Sequence, residues 1–155
     1  MNHTIPSIPI TSEFFTQTQV KYDALSLERS VVMKRLQTAR EMGDLSENGA
    51  YKYAKFELGS IGRQLQQLKF LLDNGAIIQP PVNPNSVTFG CTVKLETQSK
   101  TISYQLVSQY ESNPKEGKLS TESPIGAALM NKQIGDVVEV IIPSGTVTYS
   151  VIGIA

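Results

Sequence analysis

Asp44 and Glu47 stand three residues apart in the stretch REMGDLSEN, just after Gly43 and between two long stretches of helical pattern. A pair of carboxylates at such a place can do two kinds of work. It can start a helix: Asp at an N-cap with Glu three residues on is a capping-box-like pattern, and both acids favour the positive end of the helix dipole. It can also supply oxygen ligands to Mg²⁺, which takes one or two protein carboxylates and keeps water and substrate phosphates for the rest. At i, i+3 both groups would face one side at the start of a helix. Two carboxylates with little apolar cover are not a complete enzyme, so the metal reading needs a partner that brings the other half of the site.

Other chemistries lack the residues. The chain has one histidine, His3, and one cysteine, Cys91, far apart. That leaves nothing for a His/Cys zinc site or a His-based triad. One cysteine forms no intramolecular disulfide, which fits a reducing cytoplasm. The 155 residues carry zero formal net charge and 40% apolar residues. That argues against a protein coating nucleic acid over its whole surface, while leaving room for a local basic strip. Between residues 29 and 69 there is such a strip: Arg29, Lys34, Arg35, Arg40, Lys52, Lys55, Arg63 and Lys69. No apolar run is long enough to span a membrane, and the first residues lack the pattern of a secretory signal.

The acids need elements to hold them. Phe15, Thr18, Tyr22, Leu25, Val32, Leu36 and Ala39 recur in steps of three and four, with Arg29 filling the missing seam position. Tyr51, Ala54, Leu58, Ile61, Leu65, Leu68 and Leu72 repeat the pattern after Gly43. This is heptad spacing. It predicts an antiparallel helical hairpin over residues 12–75, capped at its start by Thr11 or Ser12, with its tip near 43–48. Asn74-Gly75 reads as the stop. Each helix would be about 40 Å long. Gly59 and Gly62 weaken the second helix by up to about 1 kcal/mol each.

Residues 1–11 read as a loosely ordered arm and 76–86, with PPVNPNS, as a linker. Beyond them the period changes to two in VTFGCTVKLE, TISYQLVSQ, DVVEVIIP and TVTYSVIGI. These predict a small, mostly antiparallel sheet over 87–155, its last two strands joined at Pro143-Ser144-Gly145. Cys91 falls in one of these strands as a small buried residue. SPIGAALMNK (123–132) reads as a short helix with Pro124 in its first turn. The fold class is α+β.

AREMGDLSENGAY resembles the tip signature of the Gre transcript-cleavage factors of bacterial RNA polymerase, of the form ARExGDLxENxxY. The resemblance continues in IPIT, in GSI, in VTFGCTVKL and in SPIGAALMNKQIGDVVEVIIPSGTVTYSVIGI, covering roughly residues 9–154. It implies a coiled-coil hairpin followed by an FKBP-like domain. The domain would dock at the rim of the polymerase secondary channel. The hairpin would enter the channel, where its tip helps hold a second Mg²⁺ and a water that hydrolyses backtracked RNA. The chain would be a cytoplasmic monomer and an accessory factor, the active site being the polymerase's. By motif, Asp44 and Glu47 would be the tip acids and shared metal ligands. Ser123, Pro124, Ile125 and Gly126 would meet the polymerase. Arg40, Lys52 and Lys55 are candidates for the 3′ end of extruded RNA. The chain departs from the family pattern at Phe14, Thr18, Tyr22, Ala50 and Ala127. Three other readings are a paralogue that plugs the channel and inhibits, whose tip acids would be altered, a prolyl isomerase or chaperone, and a scaffold that binds only protein.

Overall fold

The computed structural model describes residues 7–43 and 47–155. They fall into two compact units. One is residues 15–75; the other is residues 76–155 together with residues 7–14.

The first unit is a pair of helices, α1 (Ser12–Arg40, whose first turn belongs to the second unit) and α2 (Gly49–Asn74). The heptad seam forms as read. Val32, Ala54 and Ile61 are buried, and Leu25, Leu36, Leu58 and Leu65 pack around them. Arg29, at the seam position lacking an apolar residue, is exposed. Arg35 bridges the helices with a two-pronged contact to Glu57, at 3.2 and 3.3 Å. This half-exposed pair adds under about 1 kcal/mol. Despite Gly59 and Gly62, α2 runs unbroken, its remaining seam residues holding it. It stops at Asn74, but not by a left-handed glycine. Gly75 is extended (φ −72°, ψ 134°) and leads straight into β2 (Gly75–Ile77).

In the second unit, β2 pairs with β1 (Ile8–Ile10), and the amide of Ile78 donates to the carbonyl of Ile10 at 2.9 Å. Residues 7–11 are therefore not a loose arm. Ile10 is fully buried, and Thr11 does two jobs. Its hydroxyl accepts from the amide of Phe14 at 3.2 Å, capping α1, and donates to Glu111 at 2.5 Å. The amide of Thr11 reaches the other oxygen of Glu111 at 3.5 Å, and Lys118 lies 4.0 Å from that carboxylate. Glu111 is buried, and a buried carboxylate is tolerated only with such partners. The arm is ordered by a side chain a hundred positions away.

The main sheet has the order β5-β4-β3-β7-β6, from β3 (Thr92–Glu96), β4 (Thr101–Val107), β5 (Lys118–Ser120), β6 (Val137–Ile142) and β7 (Gly145–Ile154). Alternate residues turn inward: Val93, Leu95, Leu106, Val138, Val140, Tyr149 and Val151 form one core with Val87, Leu119 and Leu129. All neighbouring pairs are antiparallel except β4 and β5, which run parallel. The sequence pattern gave no sign of β5, a strand of three residues. Cys91 is buried as expected but precedes β3 rather than lying in a strand; its sulfur is 3.2 Å from the hydroxyl of Thr88.

Candidate functional site

Asp44 lies outside the described residues, so the tip is built from its neighbours. α1 ends at Arg40. Two further turn bonds, Glu41 to Gln37 and Met42 to Ala39, both 3.2 Å, carry the chain to Gly43. There φ is +121°, a conformation that favours glycine. At the other side α2 begins at Gly49, and its cap is Asn48. The Asn48 side-chain oxygen accepts from the amide of Tyr51 at 3.1 Å. Its side-chain nitrogen donates to the carbonyl of Ala39 at 2.6 Å. One amide side chain thus satisfies a donor at the start of α2 and an acceptor at the end of α1. It clamps the tip from inside.

This corrects the capping reading of the acids. Asp44 is four residues before the cap, and Glu47 precedes it directly. Glu47 therefore lies before the helix, not in its first turn as the i, i+3 reading requires. A signal for Asn48 was present: Asn is among the strongest N-cap residues and is followed here by Gly-Ala-Tyr, the helix start. The acids offer a competing capping pattern of their own, which masks it. Glu47 is exposed and makes no hydrogen bond or ion pair with a described residue. Such a carboxylate fits the role of one or two protein ligands on a largely hydrated Mg²⁺. Among the described residues no three His, Cys, Asp or Glu side chains gather to hold an ion by themselves.

The cations near the tip do not form one strip. Arg40 sits over the Tyr51 ring, 6.0 Å from its centre, a cation–π contact. With Arg29 and Lys34 it lines a groove along the hairpin that also touches Leu58 and Gly62. Arg35 is committed to Glu57. Lys52 and Lys55 are exposed, have no ion-pair partner among the described residues, and take no part in that groove. From residue 29 to residue 69 there are eight cations against four acids, so the hairpin is locally basic in a chain of zero net charge.

The SPIG segment is a built turn rather than an exposed one. Ser123 caps α3 (Pro124–Leu129): its hydroxyl accepts from the amide of Gly126 at 3.0 Å and donates to the carbonyl of Ser120 at 2.6 Å. Gly126 is buried, and a Cβ there would come within 1.9 Å of the Ser120 carbonyl oxygen. Ile125 packs on the core. Of the four residues, Pro124 alone is exposed, with Ala127 exposed one turn further on.

No helix among the described residues is long and apolar enough to cross a membrane. Two family profiles match: "Transcription elongation factor, N-terminal" over residues 8–77, and "Transcription elongation factor, GreA/GreB, C-term" over residues 82–155. The chain is 38% identical to transcription elongation factor GreA of Neorickettsia sennetsu, with 95% of each chain covered. It is also 38% identical to the GreA of Pelobacter propionicus, with 96% of each covered. Among solved structures, GreA factor homolog 1 (Gfh1) of Thermus thermophilus is similar at 24% identity and a TM-score of 0.46, over 96% of this chain and 99% of that one. A likeness of that size distinguishes nothing about activity. Both halves of the chain match one family in order, and relatives above 30% identity are matched nearly end to end. The chain belongs to the GreA/GreB family of transcription elongation factors.

Proposed function

We propose that this factor enters the secondary channel of RNA polymerase and stimulates the polymerase's own Mg²⁺-dependent cleavage of backtracked RNA. The active site belongs to the polymerase, and the chain is an accessory factor of the cytoplasm. The observation that carries the reading is the exposed carboxylate of Glu47, which no described residue engages. The tip is held by Asn48, and no described residue engages the acid beside it, which suits that acid to serve as a ligand. Glu47, with Asp44 outside the described residues, would supply carboxylate oxygens to an ion that the polymerase otherwise holds in part. When bound, that ion would lower the pKa of a water and offset charge on the phosphate. Asn48 keeps the tip closed so that Glu47 is presented at a set place. Arg40, Lys52 and Lys55 contribute salt-sensitive attraction for RNA phosphates. Pro124 and the surface around it meet the polymerase, while Ser123, Ile125 and Gly126 shape that turn.

The test is to add the full chain to a stalled, backtracked polymerase and follow the RNA. Shortened transcripts that depend on Mg²⁺ support the reading. Blocked synthesis without shortening would instead make the chain an occupant of the channel that inhibits.

A further inference from the structure

The seam of α2 uses Tyr51, Ala54 and Leu58 near the tip, and at about 100° per residue Tyr53 and Phe56 fall on the side away from it. Tyr53 is 65% exposed and Phe56 is 73% exposed. The packing of the hairpin does not call for them. Lys52 and Lys55 alternate with these rings and carry charges that no described acid neutralises. The one acid in the same turn, Glu57, is engaged by Arg35. Tyr53 and Phe56 are three residues apart on a helix, which sets their Cβ atoms about 5–6 Å from each other.

We propose that this turn of α2 is a stacking platform for single-stranded RNA, with bases lying on Tyr53 and Phe56 and phosphates held by Lys52 and Lys55. The inference rests on the reading that the hairpin meets extruded transcript, and it adds the bases to what is recognised. The ligand must be flat, apolar on its faces and anionic along its length. Unpaired RNA has both properties at a short repeat. A duplex hides its base faces, and an acidic peptide leaves the rings uncovered. Base–ring stacking tolerates any sequence because every base has a π-face.

The experiment is an NMR titration of the full chain, without polymerase, by a short oligoadenylate and by an abasic ribose-phosphate chain of equal charge. The oligoadenylate should bind about tenfold more tightly, the low end for stacking on aromatic rings, with the ring signals of Tyr53 and Phe56 moving. The double change Tyr53→Ala, Phe56→Ala should erase that preference, and Tyr53→Phe should keep it. Lys52→Gln with Lys55→Gln should weaken both ligands equally. Equal binding of the two ligands by the parent overturns the platform. So does self-association of the parent that the double ring change abolishes, since the rings would then face a second copy. Transcript cleavage is followed with the same proteins. Stimulation by the parent without base preference removes the platform and leaves the proposed function standing. Base-dependent binding with no stimulation does the reverse.

Discussion

The tip and the SPIG turn use the same local device and leave their neighbours in opposite conditions. In each, a short polar side chain caps a helix and reaches back to a carbonyl: Asn48 to Ala39 at 2.6 Å, and Ser123 to Ser120 at 2.6 Å. At the tip, Glu47 beside the cap is exposed and bonds to no described residue. In the SPIG turn the surroundings are full. Gly126 has no room for a Cβ, and Ile125 belongs to the core. A motif residue can therefore be sequence-distinctive because a partner needs it or because the backbone does. Freedom from internal contacts separates the two.

The largest expected effect tests the free side of that contrast. Glu47→Gln should lower stimulated cleavage on the order of a hundredfold, the scale for removing one placed charge stabiliser from a reaction. Its thermal melt should stay within about 0.5 kcal/mol of the parent, as for an exposed change. Cleavage near the parental level would return Glu47 to the status of a surface residue.

Gly126→Ala should act through the fold alone. Forcing a methyl group against the Ser120 carbonyl should cost about 2–3 kcal/mol, within the range of an overpacked core. Polymerase binding, measured at a temperature where the variant is still folded, should recover. If binding stays lost in the folded protein, Gly126 itself touches the partner.

Asn48→Ala removes a cap and should cost about 1 kcal/mol. Asn48→Asp can keep the acceptor for Tyr51 but loses the donor to Ala39, so it should restore the melt only in part. Both should reduce cleavage less than Glu47→Gln. A full rescue by Asp would mean that the bond to Ala39 carries no weight.

The smallest change in stability is expected at Pro124→Glu. The residue is exposed and in the first turn of α3, where an acid suits the helix dipole. The melt should move by under about 0.5 kcal/mol, while competition for polymerase weakens. Unaltered competition removes Pro124 from the docking surface.

The sequence by itself determined the seam of the hairpin and the alternation of the long strands. These are local signals, since residues three, four or two apart report one another's face whatever lies elsewhere. It also carried the motifs that place the chain in its family. Tertiary structure decided the rest. Thr11 is ordered by Glu111, and α1 is capped through the same hydroxyl. β5 is a strand because it lies parallel to β4, not because of any pattern in Lys118–Ser120. Gly126 is required by a carbonyl six positions back, and Asn48 became a clamp only once the two helices lay side by side. In each case the deciding partner is a backbone or side-chain polar group brought near by folding. Such a group leaves no periodic trace in the chain, yet burial obliges it to be satisfied.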